Sequence, residues 1–173
     1  MPVCFLKTLS NPALQKRRYM ITKPNNPYGL AKDTLRRQLE NLKKDYFFKL
    51  TWARLFYLYG EGQSEKSLYS QLKRAIDKGD SVFNLSGGEQ LRDFLPVNEI
   101  ANYLVSIALM NQDNGIVNIC SGVPISIRDL VQNWLMMNQW SIKLNFGYYP
   151  YPDYEPMAFW GDCNKLNKIL QIQ

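Results

Sequence analysis

The chain has 173 residues and a mass of 20.2 kDa, with 46% hydrophobic and 21% charged residues. That composition is globular and excludes a disordered, collagenous or coiled-coil chain. With no histidine and no Cys-x-x-Cys, a zinc site and a Ser-His-Asp triad are excluded, and no metal ligand set is assigned. Cys4, Cys120 and Cys163 form no disulfide framework and read as reduced, inert thiols. No apolar run approaches the ~18 residues of a membrane span. The opening Met1-Pro2-Val3-Cys4-Phe5-Leu6 is too short for a signal peptide and follows no basic residue. The sequence reads as soluble and cytoplasmic. Its formal charge of +6 is concentrated early, since residues 1–50 carry eleven Lys/Arg against three Asp/Glu. Such asymmetry fits a polynucleotide, a solvated helix face or a phosphorylated small molecule. The lack of a Cys/His finger, a glycine-aromatic RNA-binding signature and a helix-turn-helix counts against nucleic acid.

Along the chain, Lys16-Arg17-Arg18 is a charge cluster and Lys23-Pro24-Asn25-Asn26-Pro27 is loop chemistry. Proline disfavours helix at the residue before it, so a helix is predicted to begin at or after Pro27. Leu30, Ala31, Thr34, Leu35, Gln38, Leu39 and Leu42 then follow helical spacing. Residues 47–56 predict a buried strand that stops at the turn Tyr59-Gly60-Glu61-Gly62. Loop, helix, strand and glycine turn in that order are the cadence of a parallel α/β sheet.

The later elements are shorter. Leu68, Leu72, Ala75 and Ile76 predict a helix ending near Lys78-Gly79, with glycine in the stop position. Short strands are predicted over 82–85 and 91–95, with Ser86-Gly87-Gly88 as a turn. An apolar helix through Ile100, Leu104 and Ala108 is predicted with Asn98 as its cap. A strand over 116–120, a Gly122-Val123-Pro124 turn and a Ser126-capped helix carrying Leu130, Val131 and Trp134 come next. The chain closes with a strand over 142–146, a Tyr/Pro-rich loop over 148–153 and a short amphipathic helix over 164–170. Trp134, Phe146 and Trp160 read as packing residues. Tyr148, Tyr149 and Tyr151 either line a sugar pocket or pack at a surface.

Tyr28 and Lys32 form the sharpest chemical unit, because residues four apart share one helix face. A tyrosine pKa of about 10 makes a poor base, and lowering it by three units takes about 4 kcal/mol. A neighbouring ammonium acts in that direction, so Tyr-x-x-x-Lys is a workable proton-transfer pair. Chance spacing on a helix is the alternative.

The segment Asn26-Pro27-Tyr28-Gly29-Leu30-Ala31-Lys32 resembles the Tyr-x-x-x-Lys motif of extended short-chain dehydrogenases/reductases, the NAD-dependent nucleotide-sugar epimerases and dehydratases. Arg54-Leu55-Phe56-Tyr57-Leu58-Tyr59-Gly60-Glu61-Gly62 is similar to that family's Arg-x-x-Asn-x-Tyr-Gly-Pro-Gly segment. Gly88-Glu89-Gln90-Leu91-Arg92-Asp93-Phe94 and the following Val97-Asn98-Glu99-Ile100-Ala101 resemble its Arg-Asp-Phe/Tyr and Val-x-Asp-Val-Ala segments. Val117-Asn118-Ile119-Cys120-Ser121-Gly122 is similar to its Tyr-Asn-Ile/Val-Gly-x-Gly block, with Ser126-Ile127-Arg128-Asp129-Leu130 after it. The four blocks stand in family order across roughly residues 24–135.

The resemblance implies an α/β protein with a partial Rossmann-like, NAD(P)-binding fold that lacks most of its N-terminal sheet, plus a small α/β substrate-binding region. Residues 1–62 would be the remnant of the dinucleotide domain and 63–173 the substrate region. Tyr28 would be the acid/base and Lys32 its electrostatic partner, both holding the nicotinamide ribose of NAD or NADP. Leu55 and Phe56 would lie toward the cofactor, and Tyr57 toward the sugar. Arg92 would reach the substrate diphosphate, with a surface ion pair to Asp93 or Glu89 as the alternative. Glu99 stands at the family's aspartate and reads equally as a structural carboxylate. The implied task is keto-sugar chemistry on a nucleotide-activated sugar, in surface-polysaccharide synthesis. The helix over 28–44 would pair subunits, and a non-catalytic binding or pairing remnant is the other reading.

Departures from the family accompany the likeness. There is no Gly-x-x-Gly-x-x-Gly turn, Tyr57 replaces an Asn, Glu61 replaces a Pro, and neither Thr8 nor Ser10 is assigned as the catalytic hydroxyl. Residues 154–162 are similar to the family's closing segment, without an arginine often found just before it. The sequence therefore reads as a C-terminal piece, truncated at both ends.

Overall fold

A computed structural model describes residues 26–151 and 156–172. It opens with helix α1 (Pro27–Leu42), where Asn26 is the N-cap and its side chain accepts the Gly29 N–H at 2.7 Å. Proline at the first helical position needs no hydrogen bond there, so the predicted start holds. Strands β1 (Thr51–Leu55) and β2 (Tyr57–Tyr59) follow, then α2 (Leu68–Asp77), β3 (Val82–Asn84), β4 (Leu91–Arg92) and β5 (Phe94–Pro96). The second half contains α3 (Val97–Leu109), β6 (Gly115–Ile119), β7 (Ile125–Ser126), α4 (Ile127–Met137), β8 (Lys143–Asn145), β9 (Ala158–Phe159) and α5 (Asn164–Leu170).

Parallel pairing dominates, as the loop-helix-strand cadence predicts. β1 pairs with β6 from Thr51 opposite Gly115 to Leu55 opposite Ile119. β2 pairs with β5, and β3 with β8, both in parallel. β4 is the centre of a three-stranded sheet, antiparallel to β7 and parallel to β9. Two apolar clusters hold these pairs together. In one, Leu95, Ile100, Ile107, Val117, Ile119 and Leu166 pack beneath Ala53, Leu55 and Leu58, joining residues on both sides of position 62. In the other, Leu72, Leu85, Leu130, Val131 and Trp134 are buried between α2 and α4.

Three local readings are corrected. The 47–56 stretch is strand only from Thr51 to Leu55, and at Phe56 the chain passes from the β6 pairing to the β5 pairing of β2. The 91–95 stretch likewise divides at Asp93. Asn98 does not cap α3. The helix begins two residues earlier, at Val97 behind Pro96, and the Asn98 side chain accepts the N–H of Glu99 at 3.0 Å. Proline at the cap position already fixes the extended backbone there, so α3 forms without a side-chain cap.

Elsewhere the predicted boundaries agree. Ser126 caps α4 by accepting the Asp129 N–H at 3.0 Å, Gly79 has a positive φ of 75° just past α2, and α5 spans the predicted residues. Cys4, Thr8, Ser10 and the 16–18 charge cluster lie outside the described residues.

Candidate functional site

Arg92, Tyr57 and Phe159 meet where β4 lies between β7 and β9. Register places Arg92 opposite Phe159. The Arg92 guanidinium sits 5.8 Å from the centre of the Tyr57 ring. The Phe159 ring stands edge-on to Tyr57 at 6.1 Å and stacks on Phe56 at 5.5 Å. Arg92 is only 3% exposed and donates to the Leu91 carbonyl at 2.9 Å. A guanidinium keeps its charge when buried and tolerates an aromatic face, so the cluster is a cation held in an aromatic wall.

The Arg92 side chain is buried, so the alternative of a surface ion pair with Asp93 or Glu89 is not what the described residues form. Asp93 is 0% exposed and accepts from elsewhere: the N–H and Oγ of Ser121 at 2.8 and 2.7 Å, the Gly122 N–H at 2.9 Å and the Gly161 N–H at 3.1 Å. Glu89 lies 3.8 Å from Arg128 instead. Sequence reasoning missed Asp93 as anything more than an ion-pair partner for Arg92, because its donors come from residues 28 to 68 positions away.

Of the predicted cofactor-side residues, Leu55 ends β1 and Phe56 is buried, its N–H donating to the Ile119 carbonyl at 3.2 Å. Tyr28 and Lys32 share the outer face of α1, with the Lys32 ammonium 5.8 Å from the Tyr28 ring centre. Tyr28 is 66% exposed, and α1 buries none of its residues. Leu30, Leu35 and Leu42 are exposed, whereas Asp33, Arg36, Leu39 and Lys43 are partly covered. Three of the early cations are paired: Arg36 with Asp33 and Glu40 and Arg37 with Asp33 along α1, and Lys43, just past it, with Asp113. The Arg36 hydrogen bond, against the opposing effect of partial burial, holds the Asp33 carboxyl below its ordinary range.

Glu99 accepts the hydroxyl of Tyr103 one helical turn on, a contact in keeping with a structural carboxylate. Burial, reinforced by the charge of Asp93, pushes the Cys120 thiol up, in keeping with an inert residue. Trp134 and Trp160 are buried, and Phe146 lies under the Arg128 guanidinium at 4.0 Å. Tyr148 and Tyr149 are exposed, and the Tyr151 hydroxyl accepts the Glu89 N–H at 3.2 Å. A groove of about 410 Å³ between the 60–62 turn and α2 contains none of the predicted site residues. Its cations are already paired, Lys73 with Asp77 and Arg74 with Glu65.

Comparison with known proteins bears directly on this arrangement. The chain is 30% identical over 139 residues to a dTDP-6-deoxy-L-talose 4-dehydrogenase (NAD(+)) of Aggregatibacter actinomycetemcomitans, covering 80% of this chain and 51% of that protein. The fold superposes with a TM-score of 0.75 on a UDP-N-acetylglucosamine 4-epimerase from Methanobrevibacter ruminantium M1 in complex with UDP-N-acetylmuramic acid. Identity there is 25%, over 92% of this chain and 52% of that one. A UDP-glucuronic acid 4-epimerase from Bacillus cereus, in complex with UDP-glucuronic acid and NAD, gives a TM-score of 0.70 at 25% identity, over 88% of this chain and 49% of that one. The chain thus has a partial Rossmann-like α/β fold and spans about half the length of these relatives.

NAD is the cofactor such relatives hold, and the described residues do not build a site for all of it. No glycine-rich turn is present to receive a pyrophosphate on backbone N–H groups, and Tyr28 and Lys32 stand open on α1. What the chain does retain is the helix, the strand pair and the Arg-Asp segment, and all three lie within residues 10–120, the stretch matched by the family model of the NAD dependent epimerase/dehydratase family. That match covers more than half of the chain, which therefore belongs to this family.

Proposed function

We propose that this chain is the substrate side of an NAD(P)-dependent enzyme that performs keto-sugar chemistry on a nucleotide-activated sugar. Residues 1–62 carry the acid/base helix and the edge of the dinucleotide domain, and 63–173 form the substrate region. The observation that carries the reading is the buried Arg92 guanidinium over the Tyr57 ring, with Phe159 opposite Arg92 in the sheet and edge-on to Tyr57. Its forked donors suit the oxygens of a diphosphate, and the aromatic wall suits the apolar face of a sugar. Leu55 and Phe56 border the nicotinamide side. Tyr28 acts as the phenolate that the Lys32 ammonium stabilises; it takes a proton from a sugar hydroxyl and becomes a neutral phenol, while the hydride would pass to bound NAD(P). Turnover requires a dinucleotide site that the described residues do not complete, so substrate binding and turnover are tested separately.

Calorimetric titration with UDP-glucose and dTDP-glucose tests the substrate reading. Saturable binding that Arg92→Ala abolishes is expected, and equal affinity in the variant refutes it. An NADH titration followed by energy transfer from tryptophan to nicotinamide tests the cofactor side. The ion pairs that neutralise Arg36, Arg37 and Lys43 favour this reading over a basic polynucleotide binder.

A second reading has its own observation. Tyr28, Ala31, Leu35, Gln38 and Leu42 form an exposed stripe at heptad spacing along α1. Such a stripe suits a subunit-pairing helix. Sedimentation that gives a dimer for the wild type and a monomer for Leu35→Glu supports it.

A further inference from the structure

We propose that Asp93 is a positioning residue for the Arg92 site, an inference that rests on the diphosphate reading above. Asp93 occupies the break between β4 and β5, where the chain leaves the sheet of β7 and β9 to pair with β2. Its two oxygens collect donors from two distant segments. Oδ1 receives the N–H and hydroxyl of Ser121, and Oδ2 receives the N–H groups of Gly122 and Gly161.

Each of these segments leads from a strand that builds the site. Ser121 and Gly122 follow β6, whose Ile119 carbonyl accepts from Phe56, the residue before Tyr57. Gly161 follows β9 by two residues, and β9 carries Phe159 opposite Arg92. One buried carboxylate thus fixes the ends of β6 and β9 against the residue adjoining Arg92. Phe56, Tyr57, Phe159 and Arg92 are held in one relative placement by the clamp, and Asp93 itself touches none of the proposed substrate groups.

The pattern favours a negatively charged acceptor. A carboxylate accepts at both oxygens, and four donors converge on it in a site closed to water. An amide of the same shape offers one accepting oxygen and turns its NH₂ toward other donors.

The test compares wild type, Asp93→Asn, Ser121→Ala and Val131→Ala. Val131 is buried in the other cluster and makes none of these contacts, so it reports on destabilisation alone. UDP-glucose affinity, thermal unfolding and amide hydrogen exchange are measured for each. The expected result is an increase in Kd of about tenfold for Asp93→Asn and two- to fivefold for Ser121→Ala, the scale of one to a few charge-assisted hydrogen bonds. Val131→Ala lowers the melting temperature and leaves Kd unchanged. In Asp93→Asn the amides of Ser121, Gly122 and Gly161 lose protection together, while those of α2 and α4 keep theirs.

If wild type binds and folded Asp93→Asn and Ser121→Ala bind equally well, the positioning role is overturned. If wild type does not bind UDP-glucose, the diphosphate reading falls and takes the positioning role with it. Should Asp93→Asn fail to fold, Ser121→Ala decides: a raised Kd with Val131→Ala unchanged supports the role, and an unchanged Kd overturns it.

Discussion

Gly161 stands so close to Cys120 that a Cβ built on it would lie 2.3 Å from the Cys120 Sγ. The same atom would fall 2.9 Å from Cζ of Phe56. Strand β9 can therefore dock beside the Phe56–Tyr57 corner only because residue 161 has no side chain. Both neighbours are buried and cannot move aside freely. Gly161→Ala is expected to destabilise the fold by about 2–3 kcal/mol, the usual cost of overfilling a packed site. Urea unfolding measures it. Adding Cys120→Ala removes the nearest atom and is expected to recover part of the loss, whereas no recovery places the strain at the residue-120 Cβ and Phe56, which would lie 2.8 and 2.9 Å away.

Helix caps give a paired test of local reading against tertiary context. Ser126→Ala removes an acceptor for the Asp129 N–H and a donor to its carboxylate at 2.6 Å, so a loss of about 1 kcal/mol is expected. Asn98→Ala is expected to stay within about 0.5 kcal/mol, because Asn98 lies inside α3 rather than at its cap. Equal losses in thermal unfolding would contradict this assignment.

Those two residues also show what the sequence could and could not disclose. Ser126 follows a glycine-proline turn and precedes a strongly periodic run, so its role is written locally. Asn98 carries the same local signature, yet Pro96 had already set the entry angle. The helices were legible for the same reason that Ser126 was, with Asn26-Pro27 and Gly79 marking further ends. The strands were legible as apolar runs, but not where they change partners. Nothing local in residues 47–59 says that β1 faces β6 while β2 faces β5. The two-residue strands β7 and β9 are too short to show a period. In the candidate cluster, Tyr57 and Arg92 were singled out through family resemblance, and the fold brings them together. Phe159 and Asp93 were not, because their roles depend on segments brought together across the fold.

Tyr103 supplies a prediction about alkaline stability. Its hydroxyl donates to Glu99, and that bond, with burial and the carboxylate's charge, pushes its pKa up from 10.0 to about 12. A folded-state pKa above the unfolded value means the native protein holds this proton more tightly. The contribution is fully present below pH 10 and is lost as pH rises through about 12. Stability is thus expected to fall across that window. In Tyr103→Phe this part of the fall is absent, and Glu99→Gln moves the Tyr103 titration back toward that of a free phenol. Phenolate absorbance followed against pH checks both, and an unchanged profile in Tyr103→Phe removes the assignment.

Tyr28 is the residue whose structural and chemical roles separate most cleanly. It is 66% exposed, and its ring has Lys32 at 5.8 Å. Removing the hydroxyl empties no core, so Tyr28→Phe is expected to change unfolding free energy by less than about 0.5 kcal/mol. Affinity for UDP-glucose, which the proposed site places on Arg92, is expected to stay within about twofold of wild type. The proton-transfer role predicts instead a loss of turnover, of about 10²–10⁴-fold, in any preparation where a dinucleotide site is complete. Lys32→Ala is expected to follow the same pattern, because its ammonium acts on the phenolate rather than on the fold. A Tyr28→Phe chain that is folded, binds UDP-glucose as wild type does and still turns over at the wild-type rate would show that the Tyr-x-x-x-Lys spacing is a helix surface without chemistry.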